Sequence, residues 1–157
     1  MRYQDQLIND TQAAIDSLFK AAHAMPEDKL TWKVDDKGRT ALSLCAECAQ
    51  MIPMTTEMLK AKAMPPMDES AMEEMGKQSA AWTLADCEKI CRDESQKLFA
   101  VLRDYSDEDL KKPIALPFGD RDWRMTDVAS YPLWNMTYHL GQISFIQTLY
   151  GDNEMYF

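Results

Sequence analysis

Thr126-Asp-Val-Ala-Ser-Tyr-Pro-Leu-Trp-Asn-Met-Thr-Tyr-His-Leu-Gly-Gln-Ile-Ser-Phe-Ile-Gln-Thr-Leu-Tyr150 is the stretch whose reading decides the fold. On a 3.6-residue period, Val128, Tyr131, Leu133, Ile143, Ile146 and Leu149 mark the buried face of one long helix. Asn135, His139 and Gln142 fall into the same stripe. A buried polar atom without a partner costs about 1–3 kcal/mol, so these side chains must bond one another, a ligand or a metal.

Three more amphipathic segments precede it. The first helix runs over about 3–24, with Leu7, Ile8, Thr11, Ala14, Ile15, Leu18, Phe19 and Ala22 inward, and Pro26 ends it. Residues 26–39 read as a long ordered loop in which Leu30, Trp32 and Val34 pack as an extended flap. Thr40 caps a second helix over 41–62, kinked at Pro53, whose inward stripe includes Cys45, Cys48 and Glu47. Met64-Pro-Pro-Met67 breaks the chain, and Asp68 to Met75 reads as a short acidic helical turn. Thr83 caps a third long helix over 84–104, and the stretch from Asp107 to Arg124 suggests a short extended or hairpin excursion. The expected architecture is one all-α domain over 1–157, a four-helix bundle with long crossing connections after the first and third long helices.

Composition narrows the function. The 157 residues suffice for a core without disulfides. A net charge of −9 repels phosphate backbones and anionic lipid heads, which argues against a nucleic-acid partner. No stretch approaches a membrane span and the N-terminus lacks an apolar leader, so a cytoplasmic location is expected. Cys45-Ala-Glu-Cys48 and Cys87-Glu-Lys-Ile-Cys91 have zinc-like spacing, but both pairs sit inside helices on core stripes without turn glycines. Reduced cysteines acting as small hydrophobes are expected. Twelve methionines, seven of them within 51–75, suggest flexible gap-filling beside a mobile surface rather than a copper site.

Glu47, Asn135 and His139 form the constellation that can carry chemistry. Asn135 and His139 stand at i and i+4, one turn apart, and both face the same partner helix. Two outcomes stay open for them. One is a hydrogen-bonded network in which Glu47 fixes His139 and Asn135 completes the bonding; the other is a divalent metal held by all three. His23, at the end of the first helix, suits a C-terminal cap and not the site. Trp32, Trp82, Trp123, Trp134 and Tyr138 are candidates for the wall of a pocket at one end of the bundle.

Met25 to Leu44 resembles the loop and second-helix start of the DinB-like (DinB/YfiT) superfamily, and His139-Leu-Gly-Gln-Ile-Ser-Phe-Ile-Gln-Thr-Leu-Tyr-Gly151 resembles its final-helix signature. The resemblance implies an up-up-down-down four-helix bundle, commonly a homodimer, with a divalent metal held by three histidines and, in some members, metal-dependent chemistry on small thiols. Laid onto this chain, those histidine positions fall on Glu47, Asn135 and His139, so only one imidazole is kept. Two functions follow as expectations. The chain is either a metal-dependent (zinc, nickel or manganese) small-molecule enzyme, such as a thiol transferase, or a binding protein of the same fold that has lost the metal. A small-molecule ligand and a homodimer are the partners expected.

Overall fold

The computed structural model describes residues 1–66 and 68–156. Met67, counted in the methionine cluster and the Met64–Met67 break, lies outside the described residues, as does Phe157. The helices are α1 (Tyr3–Ala24), α2 (Glu27–Leu30), α3 (Ala41–Ala61), α4 (Glu69–Ala80), α5 (Leu84–Asp104), α6 (Asp107–Leu110) and α7 (Met125–Leu149).

Each long helix begins where its sequence satisfies the free N–H groups of the first turn. Thr40 Oγ1 accepts from Ser43 N at 3.0 Å at the start of α3. Thr83 Oγ1 accepts from Asp86 N at the start of α5 (3.2 Å), while Arg124 N donates to Asp127 Oδ2 at the start of α7 (2.8 Å). Pro53 lies within α3, where it removes one ladder donor. The predicted stripes form the core: Ile15, Leu18 and Phe19 of α1 meet Leu44, Ile52 and Leu59 of α3, Leu98 and Leu102 of α5, and Met136 and Ile143 of α7.

The all-α four-helix bundle expected from the sequence is the fold found, but the helix directions are not up-up-down-down. Gln4, at the start of α1, donates to Tyr105 O just past the end of α5 (2.9 Å), so these two helices are antiparallel. Tyr105 Oη donates to Leu59 O at the end of α3 (2.8 Å), so α3 runs with α5. Gln147, near the end of α7, donates to Ala21 O (3.2 Å), so α7 runs with α1. The order is up, down, down, up, with α3 and α1 each packed between α5 and α7.

The reason lies in the connections. Residues 25–40 turn at one end of the bundle, where Lys29 Nζ stands 5.8 Å from the Tyr150 ring beyond α7. Residues 105–124 turn at the other end, closed by the Pro113–Arg124 bridge and by Met125 N donating to Lys112 O (2.9 Å). The chain is carried back along the bundle between α3 and α5, by the segment that holds α4.

Three local expectations are also corrected. The flap over 26–39 contains the helical turn α2, stabilised by acidic Glu27 and Asp28 at its N-terminus. The acidic turn extends to a twelve-residue helix, α4, because Asp68 Oδ1 caps Ala71 N (2.8 Å) and no proline follows before Trp82. Leu149 is exposed, not buried, because it stands on the flank of the face on which Val128, Ile143 and Ile146 are buried.

Candidate functional site at the α3–α7 seam

The antiparallel packing of α3 on α7 brings Glu47 opposite Asn135 and His139, so the three residues singled out from sequence meet. Glu47 Oε1 accepts from Asn135 Nδ2 at 3.1 Å and lies 3.0 Å from His139 Nε2. His139 Nδ1 is 2.6 Å from Gln142 Oε1. Asn135 and His139 are buried, whereas Glu47 keeps a partly exposed edge. Both ring contacts are hydrogen bonds when both ring nitrogens carry hydrogen. A neutral ring makes the same two bonds if the Gln142 amide turns to present its nitrogen.

Arg39 completes the cluster. Its Nη1 lies 2.5 Å from Glu47 Oε2, and its Nη2 donates to Ser43 O at 3.1 Å. Burial pushes the Glu47 carboxyl up, but hydrogen bonds from His139, Arg39 and Asn135 outweigh it and hold the group below the ordinary carboxylate range. Glu47 is therefore an anion with both oxygens engaged. Tyr131 stands close by: burial and the Glu47 charge both push its phenol up, while Asn135 acts in the opposite direction. Sequence reasoning missed Arg39. Its signal was a cation just before the N-cap Thr40, two turns ahead of a carboxylate on an apolar stripe.

Two cavities flank the cluster. One, of about 430 Å³, is walled by Val34, Leu44, Tyr138, Phe145 and Ile146, with Arg39 and Gln142 as its polar edge. The other, of about 640 Å³, lies between Met51, Met54 and Met58 of α3 and Trp123, Tyr131 and Trp134. The aromatic residues named from sequence thus divide between two cavities and the core, since Trp32 and Trp82 pack against the core. His23 lies outside the site, with Nε2 2.6 Å from Glu88 Oε2. The four cysteines are free and buried. Burial pushes their thiols up, to about 11 at Cys87 and about 12 at Cys91, which keeps them protonated and unreactive.

By sequence the chain matches no family model and no curated protein. Solved structures are similar in shape. YfiT from Bacillus subtilis, described as a probable metal-dependent hydrolase with an unusual four-helix bundle topology, aligns with a TM-score of 0.79 at 18% identity, over 96% of this chain and 90% of YfiT. The chain has the DinB-like fold. A DinB-like protein from the same organism, YjoA, aligns with a TM-score of 0.68 at 16% identity, over 97% and 96% of the two chains.

Whether a DinB-like metal suits this chain is a question of donors. The set is one imidazole, one carboxylate already neutralised by Arg39, and one amide that turns its N–H toward that carboxylate. Among the described residues no group of three or more His, Cys, Asp or Glu is placed to hold a metal ion. The donor set does not fit a resident divalent ion, because a guanidinium already neutralises the one strong anionic ligand. Among the described residues, no helix is long and apolar enough to cross a membrane.

Proposed function

We propose that this DinB-like bundle binds a small organic molecule at the Arg39–Glu47–His139 cluster without a resident metal. The observation that carries the reading is the Arg39–Glu47 pair at 2.5 Å, which satisfies with a side chain the charge a metal would otherwise neutralise. Arg39 is also the one charged side chain on the wall of the 430 Å³ cavity, whose remaining lining is apolar apart from Gln142 and the Tyr138 hydroxyl. That lining suits a compact apolar molecule with one anionic or hydrogen-bond-accepting end directed at Arg39 and Gln142. The chain's own residues then bind and orient; Glu47 holds Arg39 in place, and His139 holds Glu47.

Calorimetric titration of chelator-treated protein with zinc, nickel and manganese tests the metal half of the reading. No heat is expected from any of them, and stoichiometric binding overturns it. Benzoate and benzylamine, matched in size and opposite in charge, test the ligand half: benzoate is expected to shift the NMR signals of Arg39 and Gln142 while benzylamine does not. The converse preference, or no shift from either, removes it.

The second reading is a metal-dependent enzyme, with Glu47, Asn135 and His139 as ligands. Two features favour it. Asn135 Oδ1 is buried without a protein partner. Gln142 also holds His139 Nδ1, the orientation in which a ligating imidazole is usually fixed from its far side. It requires Arg39 to leave Glu47.

A further inference from the structure

The larger of the two cavities, about 640 Å³, takes no part in the Arg39–Glu47–His139 cluster, and none of those three residues lies on its wall. Helices α3 and α7 form two of its sides, and the 105–124 connection forms a third. Its volume falls within the range of about 300–1,000 Å³ that small-molecule pockets occupy.

Two kinds of apolar side chain build the wall. From α3 come Met51, Met54 and Met58, spaced three and four residues apart and so on one face of the helix. From α7 and the connection come the rings of Tyr131, Trp134 and Trp123. Unbranched thioethers adapt their shape to a guest and make favourable contacts with its aromatic rings, while the wall's own rings stack on it. Three of the seven methionines clustered within 51–75 thereby acquire a role.

The third side is fastened in place. Trp123 Nε1 donates to Phe118 O at 2.7 Å, and Ile114 N donates to Trp123 O at 3.0 Å. Gly119, at a φ of +68°, lets the chain double back between Phe118 and Trp123, a conformation that costs glycine little. The cavity is thus formed ahead of any ligand.

Its polar groups define what that ligand carries. Arg121 pairs with Asp127 and lies over the Trp123 ring, 3.8 Å from the centroid. Both members of the pair belong to the wall, which therefore has no net charge; at the smaller cavity Arg39 is on the wall and its partner Glu47 is not. Thr55 is the second polar feature. It lies on the wall at 1% exposure, and its hydroxyl makes no hydrogen bond among the described residues. The neighbouring Thr56 hydroxyl instead donates to Ile52 O at 2.9 Å, the ordinary arrangement within a helix. A hydroxyl so buried is costly to leave unpaired, and a ligand with one hydrogen-bonding group satisfies it.

We propose that this cavity is a second binding site, for an uncharged planar aromatic molecule with a single hydroxyl or ring N–H. The rings lie among Met51, Met54, Met58 and the aromatic side chains, and the polar group meets Thr55 Oγ1. The site works independently of the Arg39 cavity.

The test is a titration of the full chain with 2-naphthol, followed by calorimetry and by the methionine methyl signals in NMR. Ring currents should move the methyls of Met51, Met54 and Met58, and leave in place those of Met25 and Met72, which are off the wall. Thr55→Val keeps the shape and removes the hydroxyl. It should weaken 2-naphthol roughly three- to tenfold and leave naphthalene, which has no hydroxyl, unaffected. 2-Naphthoate, a carboxylate on the same rings, should bind at least about tenfold more weakly than 2-naphthol. Arg39→Ala should not change 2-naphthol affinity, and benzoate should not displace 2-naphthol, so failure at one cavity is told apart from failure at the other. No shift of the three methyls up to the solubility of 2-naphthol overturns the proposal. So does equal binding of 2-naphthoate, undiminished binding by Thr55→Val, or loss of 2-naphthol binding in Arg39→Ala.

Discussion

Arg39 Nη1 sits 2.5 Å from Glu47 Oε2, so a guanidinium from the loop before α3 neutralises the carboxylate that α3 directs at α7. Both side chains are partly exposed, which limits the worth of the pair to about 1 kcal/mol. Arg39→Ala is expected to lower stability by that order in urea denaturation. It should also free Glu47 to bind zinc, measured as heat in calorimetry that the native chain does not give.

His139 is held from both ring nitrogens, by Glu47 and by Gln142. His139→Ala strips both partners of a buried contact and should cost about 2–3 kcal/mol. Equilibrium urea unfolding checks this. An unchanged midpoint would mean that water replaces the ring without loss.

The Glu47 carboxyl, held below its ordinary range by its three partners, makes stability depend on pH in one direction. Its contribution is present above the unfolded carboxylate value, near about 4.3, and is lost as pH falls through the lower folded value. The native protein should therefore lose more melting temperature than Glu47→Gln between pH 5 and pH 3, the span around that carboxylate value. Parallel slopes for the two proteins would remove the argument.

The four cysteines are buried, with thiols pushed up by burial. A thiol reagent at pH 8, about half a unit below an ordinary cysteine, should label none of them in the native state and all four in guanidinium. Replacing Cys45 and Cys91 by Ala leaves small cavities and should cost about 1 kcal/mol each. Zinc that co-purifies with the native chain and is lost in that double variant would restore the four-cysteine site.

Gln4 anchors the start of α1 to the start of the 105–124 connection through Tyr105 O at 2.9 Å and Asp107 Oδ1 at 2.8 Å. Gln4→Ala should cost about 1–2 kcal/mol and loosen this junction first. Hydrogen exchange of the first turn of α1 and of residues 105–107 should quicken before that of α3.

The sequence by itself determined the four long helices, the Thr40 and Thr83 caps and the inner faces, because those depend on neighbours three and four residues apart along one chain. Glu47, Asn135 and His139 were legible for the same reason: a polar side chain on an apolar stripe must find a partner, and stripes face one another. The helix directions were decided only in three dimensions, where the 25–40 and 105–124 connections turn back on their own ends instead of crossing the bundle. Arg39 was hidden likewise. Its role depends on how far a flexible side chain reaches from a loop, and no periodicity records that. From Val128 to Leu149, α7 carries no Asp, Glu, Lys or Arg. Which side of that uncharged helix turns to solvent, however, is fixed only by the packing of α1 and α3 against the other side.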